Sequence, residues 1–214
     1  MPILVIDTSG SRQAVVLLDG EAVVAGDEWT RRPDDLLLLT RVDDLMRRAG
    51  WSPAQLSAVA AARGPGSFTG IRLGLGLAMG IASGRGVSLY TLESLRVLAA
   101  QAPRDGSAAG ALRDAGRGEV YSWRPDVAPA RFAIVGLPAW IQADDRFVVD
   151  PPGALGQWSP GHAAWEVAPA RRRSLIEALA GEANRVTSHE KPVRYHEVEA
   201  MYVQPAAAEE RLSP

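Results

Sequence analysis

The sequence predicts an α/β protein in which a mixed sheet is flanked by helices. Residues 3–100 alternate between short apolar runs, typical of strands, and longer apolar or amphipathic segments, typical of helices. Their order is β-β-β-α-β-α-β-α, which favours a mixed sheet between helices. The chain has 214 residues, enough for one large domain or two small lobes. The length leaves both open; a division would fall after residue 102, between a first lobe over 1–102 and a smaller, irregular one over 103–214 with a frayed tail.

The first lobe begins with a predicted three-stranded meander. Asp19-Gly20 joins two apolar runs and is a strong signal for a two-residue hairpin turn. Asp34 is a plausible N-cap for the first helix, and Gly50 ends it. The predicted strands are 3–8, 13–18, 21–29, 57–62 and 87–90, and the predicted helices are 35–49, a glycine-rich helix over 75–83 and 92–100.

The second lobe has weaker patterns. We predict the lobe boundary at 103–109. The elements predicted after it are strands at 118–124, 131–135 and 147–149, a short helix at 138–143 and a helix at 171–183.

Residues 64–82, GPGSFTGIRLGLGLAMGIA, are the most informative segment. A Gly/Pro loop leads into an apolar helix that carries several glycines, and each glycine inside a helix costs about 1 kcal/mol relative to alanine. The glycines recur at every fourth position in two rows. Such a row removes side chains from one stripe of the helix, so another backbone can approach closely. The rows are Gly66, Gly70 and Gly74, and then Gly76, Gly80 and Gly84.

The composition excludes several classes of protein. The absence of cysteine rules out disulfides, thiolate metal sites and cysteine nucleophiles, and it fits a cytoplasmic protein. The start, Met-Pro-Ile-Leu, lacks a basic region and predicts a strand, not a signal peptide. We expect no membrane segment. The net charge is −2, so the overall field gives no reason to bind nucleic acid.

Three motifs resemble the TsaB (YeaZ) family. Segment 64–82 resembles the hallmark of that family, and residues 3–9, ILVIDTS, resemble its opening strand and first turn. Residues 114–121, DAGRGEVY, resemble the segment that opens its second lobe. The motifs occur in the order of the family. The resemblance implies the two-lobed actin-like fold of sugar kinases and Hsp70, also called the ASKHA fold.

The resemblance also implies a function. Proteins of this family are non-catalytic scaffold or activator subunits for transfer of a threonylcarbamoyl group to adenosine in tRNA. It implies pairing with a TsaD-type catalytic subunit, a TsaE-type ATPase in the larger complex, self-association when alone, and contact with tRNA only through the complex. We expect no cofactor bound by this chain alone, with ATP or ADP at the joint with the catalytic subunit as an open possibility.

The partner would meet the first helix and the glycine helix. The start of the first helix is apolar nearly all round, which indicates either deep burial or a partner. The alternative is that both helices are buried within this chain. This chain departs from the family at Asp34, Asp35 and Met79, where relatives often have Ser, Glu and Lys. The predicted interface residues are Leu36, Leu39, Val42, Met46, Phe68, Arg72, Gly76, Met79 and Gly80.

The first turn is a second candidate site. In actin-like ATPases the turn equivalent to Asp7, Thr8 and Ser9 faces phosphates, so these residues are a candidate nucleotide site. The alternative is a turn whose side chains satisfy local backbone groups. The expected second phosphate loop matches only loosely at residues 114–116. Two other functions stay open: an ATP-dependent phosphotransferase of the same fold group, and a homodimeric interaction module unrelated to tRNA.

Metal and protease chemistry are not expected. The histidines His162, His189 and His196 lack the spacing of two metal ligands on one helix turn. Ser67 precedes a helix, but its surroundings are not a nucleophile elbow. We therefore predict no catalytic residue and no metal site.

Overall fold

The computed structural model describes residues 1–31, 37–105, 110–125, 127–142 and 145–201. These residues form two mixed sheets flanked by helices, which confirms the predicted fold class. The predicted interface residue Leu36, the predicted cap Asp34 and the tail beyond 201 lie outside the described residues.

The first sheet has five strands in the order β3-β2-β1-β4-β5. Strands β1, β2 and β3 form the predicted antiparallel meander, while β4 and β5 run parallel to β1. The strands are β1 (Pro2–Asp7), β2 (Arg12–Asp19), β3 (Ala22–Thr30), β4 (Ala58–Ala62) and β5 (Ser88–Leu92).

The side chains of β1 point alternately to the two sides of the sheet, so the core of the first lobe has two layers. Leu4 and Ile6 face helices α1 (Leu38–Arg48) and α2 (Phe68–Arg85). Their neighbours Ile3 and Val5 face the opposite layer, which contains helix α6 (Leu175–His189) and part of α3 (Ser94–Ala99). Successive strand side chains point to opposite sides of a sheet, so both layers are apolar.

The second sheet has four strands in the order β8-β7-β6-β9. Strand β9 runs parallel to β6, and β7 and β8 are antiparallel. Both sheets thus share a meander with a parallel strand beside its first strand. The elements are β6 (Gly110–Gly116), β7 (Glu119–Arg124), β8 (Val127–Ala133), β9 (Phe147–Asp150), α4 (Leu137–Trp140) and α5 (Ala154–Trp158).

The predicted division into lobes is wrong for residues 175–201. Helix α6 packs on the first sheet, because Leu175, Leu179 and Ala183 form a buried stripe against β1 and β2. The chain then runs along the first lobe, where Val193 bridges to β5 and the Met201 N–H donates to the Arg63 carbonyl at 2.7 Å. The first lobe is therefore completed by the end of the described chain.

Candidate functional site: the glycine helix and the interlobe cleft

Helix α2 begins with a side-chain cap. The Ser67 hydroxyl accepts a hydrogen bond of 3.2 Å from the Gly70 N–H, and the Arg31 guanidinium donates to the same hydroxyl at 2.6 Å. The helix ends at Gly86, whose φ of 66° is the left-handed conformation that favours glycine. Ser67 thus has a structural role at the helix start.

The first glycine row packs against residues 8–11, the loop between β1 and β2, which we call the first loop. A Cβ on Gly66 would overlap the Ser9 carbonyl, and a Cβ on Gly70 would overlap the Thr8 carbonyl. A Cβ on Gly74 would overlap the Thr8 hydroxyl. This row lets two backbones of the same chain approach, so it serves the fold.

The second glycine row faces away from the chain. Gly76, Gly80 and Gly84 are exposed, and an added Cβ at any of them would meet no described atom within 4 Å. The alternative that the helix is buried on all sides within this chain is therefore wrong for this row. Three glycines at about 1 kcal/mol each lower the helix stability without any contact that needs them within the described residues.

The predicted interface residues fall into two groups. Leu39 is 63% exposed and Phe68 is 37% exposed, with the Arg72 guanidinium 3.7 Å above the Phe68 ring. Val42 and Met46 are only 3% and 5% exposed, so their predicted role as partner contacts is wrong.

Helix periodicity explains this difference. Residues at spacings of three and four share one helix face, and Leu38, Val42, Leu45 and Met46 form the face of α1 that packs on the sheet. Met79 is half-buried against the same core. Leu37, which was absent from the predicted set, is 55% exposed.

Asp7 is buried at the end of β1 and bonded within its own turn. Its Oδ1 accepts hydrogen bonds from the Ser9 N–H at 2.8 Å and from the Ser9 hydroxyl at 2.6 Å. Burial raises the pKa of the Asp7 carboxyl, while the Arg113 guanidinium and the Ser9 hydrogen bonds act in the opposite direction. The Thr8 hydroxyl donates to the Gly70 carbonyl at 2.7 Å. The polar groups of this turn are thus engaged within the chain.

An ion pair from the second lobe reaches this turn. The side chains of Arg113 and Asp150 are 7% and 9% exposed, and the Arg113 Nε–H donates to Asp150 Oδ2 at 2.9 Å. Arg113 Nη1 also donates to the Ser9 hydroxyl and to the Pro65 carbonyl, each at 3.0 Å. Sequence reasoning missed both residues, although a charged residue inside an apolar strand was a usable signal.

The cleft between the lobes is small. A cavity of about 40 Å³ is lined by Asp7, Arg12, Arg113, Asp150 and Arg172, among others. This volume holds a few water molecules. Nucleotide binding by Asp7, Thr8 and Ser9 stays a prediction.

Two of the three histidines make ordinary hydrogen bonds. His162 Nδ1 lies 2.7 Å from the Ser159 hydroxyl, and His189 Nδ1 lies 2.8 Å from the Arg185 carbonyl. In the described part of the chain, no three metal-ligating side chains come together. No described helix is long and apolar enough to cross a membrane.

The two similar sheets, the cleft between them and the loop at Asp7 define a two-lobed protein of the actin-like, or ASKHA, class. Comparison with solved structures supports this class. YeaZ from Pseudomonas aeruginosa superposes with a TM-score of 0.73 at 22% identity, covering 94% of this chain and 99% of that one. A further structure, titled as an uncharacterized protein with similarity to peptidase YEAZ from the same organism, gives a TM-score of 0.74 at 22% identity, covering 95% and 99%.

Sequence comparisons find relatives among the TsaB proteins. The TsaB threonylcarbamoyladenosine biosynthesis protein of Escherichia coli is 37% identical over 123 residues, which is 56% of this chain and 53% of that protein. The Bacillus subtilis TsaB is 32% identical over 57% of this chain and 54% of its own length. The chain thus spans about half the length of the curated relatives it matches. A family model described as "TsaD: tRNA N6-adenosine threonylcarbamoyltransferase" matches residues 34–136. These similarities support the predicted resemblance to the TsaB (YeaZ) family.

Proposed function

We propose that this protein is a non-catalytic subunit in the biosynthesis of threonylcarbamoyladenosine in tRNA. It would act as a scaffold or activator that pairs with a TsaD-type catalytic subunit, with a TsaE-type ATPase in the larger complex. The names of the TsaB relatives support the pathway. The proposal places the protein in the cytoplasm and gives it access to tRNA through the complex.

The exposed second glycine row is the observation that carries the pairing. Gly76, Gly80 and Gly84 leave one stripe of α2 bare, so a helix of another subunit can pack at short axial distance. Helix α1 lies on the same face of the sheet and exposes Leu37 and Leu39 near its start. Two adjacent helices with bare or apolar surfaces fit a four-helix interface with an equivalent pair.

The cleft supports a non-catalytic role. In actin-like enzymes the cleft holds the nucleotide, and here Arg113 and Asp150 occupy the space beside Asp7. The Asp7 carboxylate accepts hydrogen bonds from its own turn. We therefore expect the isolated chain to hydrolyse ATP negligibly and to transfer no threonylcarbamoyl group. A nucleotide at the joint with the catalytic subunit remains part of the proposal.

Association with the purified TsaD-type subunit from the same genome tests the pairing. A leucine at Gly80 would fill the bare stripe, and overpacking costs about 1–3 kcal/mol. Gly80→Leu should therefore weaken binding about tenfold or more in titration calorimetry. Gly181→Leu is the matched control, because Gly181 is an exposed glycine on α6 whose added Cβ also meets no described atom within 4 Å.

The outcomes separate the remaining functions. Equal binding by wild type, Gly80→Leu and Gly181→Leu would remove the glycine row from the interface. Tight ATP binding and turnover by the isolated chain, both lost in Asp7→Ala, would favour the phosphotransferase. Self-association without any binding to the catalytic subunit would favour the homodimeric module.

A further inference from the structure

We propose that the second lobe positions the first turn of helix α2 through Arg113 and Asp150. This proposal deepens the proposed function and rests on it for the effect on partner binding. Phe68 and Arg72, two of the predicted interface residues, lie in the first turns of α2. Arg113 and Asp150 would be positioning residues for this part of the surface.

One guanidinium holds both segments around the start of α2. Arg113 Nη1 donates to the carbonyl of Pro65 in the loop that precedes the helix, and to the hydroxyl of Ser9 in the first loop. The two loops are also joined directly, because the Ser67 N–H donates to the Ser9 carbonyl at 2.8 Å. Movement of Arg113 would therefore release two contacts at the helix start.

The second sheet fixes Arg113 in place. Arg113 on β6 and Asp150 on β9 are paired in the parallel register of the two strands. Asp150 also accepts hydrogen bonds from the backbone N–H and the hydroxyl of Ser11. At Gly10, an added Cβ would lie 2.7 Å from Asp150 Oδ2 and 2.9 Å from Arg113 Nη2. A bare backbone at residue 10 thus allows the ion pair to reach the first loop.

The first loop and α2 are closely packed at their contact. The Thr8 carbonyl lies directly against the Cα of Gly70, and the Thr8 hydroxyl bonds the Gly70 carbonyl. Closely packed elements pass on small displacements because neither side has free space. A shift of the first loop should therefore reach the turn that carries Phe68 and Arg72.

Hydrogen exchange on the isolated chain tests the positioning. Asp150→Asn removes the negative charge that pairs with Arg113. Arg113→Lys keeps the positive charge but loses the planar guanidinium, whose N–H groups donate to several acceptors at once. Asp145→Asn is the matched control, since Asp145 pairs with Arg124 at 2.6 Å within the second lobe. We expect exchange in residues 68–75 to accelerate about tenfold or more in the two test variants, relative to residues 175–189.

Three results would overturn the proposal that Arg113 and Asp150 position the start of α2. Hydrogen exchange could accelerate uniformly along the chain, it could stay unchanged in residues 68–75, or Asp145→Asn could give the same local acceleration. Binding to the TsaD-type subunit supplies the second readout. Asp150→Asn should weaken it about fivefold or more, within the usual range of coupling between sites, and Asp145→Asn should not. Faster local exchange with unchanged binding would overturn the link to the partner surface. If the wild type does not bind the subunit, the proposed function fails, and the exchange result alone decides the positioning.

Discussion

The hydroxyl of Thr8 donates a hydrogen bond of 2.7 Å to the carbonyl of Gly70, and this bond joins the first loop to the first turn of helix α2. The Thr8 backbone lies so close that Gly70 has no room for a side chain. Ten residues further on, Gly80 lies on the exposed stripe with open space around it. Glycines of the same helix thus have different roles, and substitution should separate them.

Gly70→Ala should lower the free energy of unfolding by about 1–3 kcal/mol, because its methyl group would overlap the Thr8 carbonyl. Gly80→Ala should instead raise it by up to about 1 kcal/mol in the monomer, because alanine favours the helix and meets nothing. Thermal unfolding at dilution, where the chain is monomeric, measures both. A lower melting temperature for monomeric Gly80→Ala would contradict the assignment of the two rows.

Leu39→Glu should weaken association and leave the monomer fold intact. Leu39 is 63% exposed, and surface substitutions usually change stability by less than about 0.5 kcal/mol. Leu45→Ala on the buried face of α1 is the contrasting control and should cost about 2–5 kcal/mol. Sedimentation measures the association of each variant, and thermal unfolding measures its stability. A folded Leu39→Glu chain that associates as strongly as wild type would remove Leu39 from the association surface.

Asp7→Asn should raise the melting temperature at neutral pH. Burial raises the pKa of Asp7 above its ordinary value of 3.8, so the folded state favours the protonated carboxyl. The charged form destabilises the fold, and this penalty grows as pH rises above 3.8 through the folded-state pKa. Asparagine keeps an oxygen that can accept the Ser9 hydrogen bonds.

The advantage of Asp7→Asn should shrink as pH falls towards 4. Arg113 and Asp150 are the charged groups that act on Asp7, and Arg113 acts against the shift. Melting curves at several pH values for both proteins provide the measurement. A wild type that is more stable than Asp7→Asn at pH 7 would show that the attraction of Arg113 outweighs burial.

The isolated chain should bind tRNA weakly. Its net charge is −2, and electrostatic attraction to phosphates supplies most non-specific affinity for nucleic acids. Filter binding at physiological salt checks this. Tight binding by the chain alone would contradict contact with tRNA through the complex.

The sequence predicted the first lobe better than the second for a physical reason. Local patterns define the meander, α1 and α2, where apolar periodicity and glycine spacing are strong. Strand β6 was missed because Arg113 and Asp114 resemble exposed positions, although Arg113 is buried by its ion pair. The packing of α6 on the first sheet depends on contacts distant in the sequence, which periodicity alone does not reveal.

The candidate site was predicted only in part, because some of its contacts also join residues that are distant in the sequence. The glycine rows are visible in the sequence, but which row faces outward depends on where the Thr8 loop packs. The exposed start of α1 was predicted, whereas Val42 and Met46 were assigned to the surface instead of the core. The Arg113–Asp150 pair joins residues on separate strands, and only the register of β6 and β9 brings them together.

We expect this chain to activate a separate catalytic subunit through its exposed glycine face. Reconstituted threonylcarbamoyl transfer to tRNA, with purified TsaD-type and TsaE-type subunits, tests it most directly. We expect modification with wild type and Gly181→Leu, and loss of at least about tenfold with Gly80→Leu or without the chain. Equal modification with and without the chain would contradict the claim, and so would full activity of Gly80→Leu.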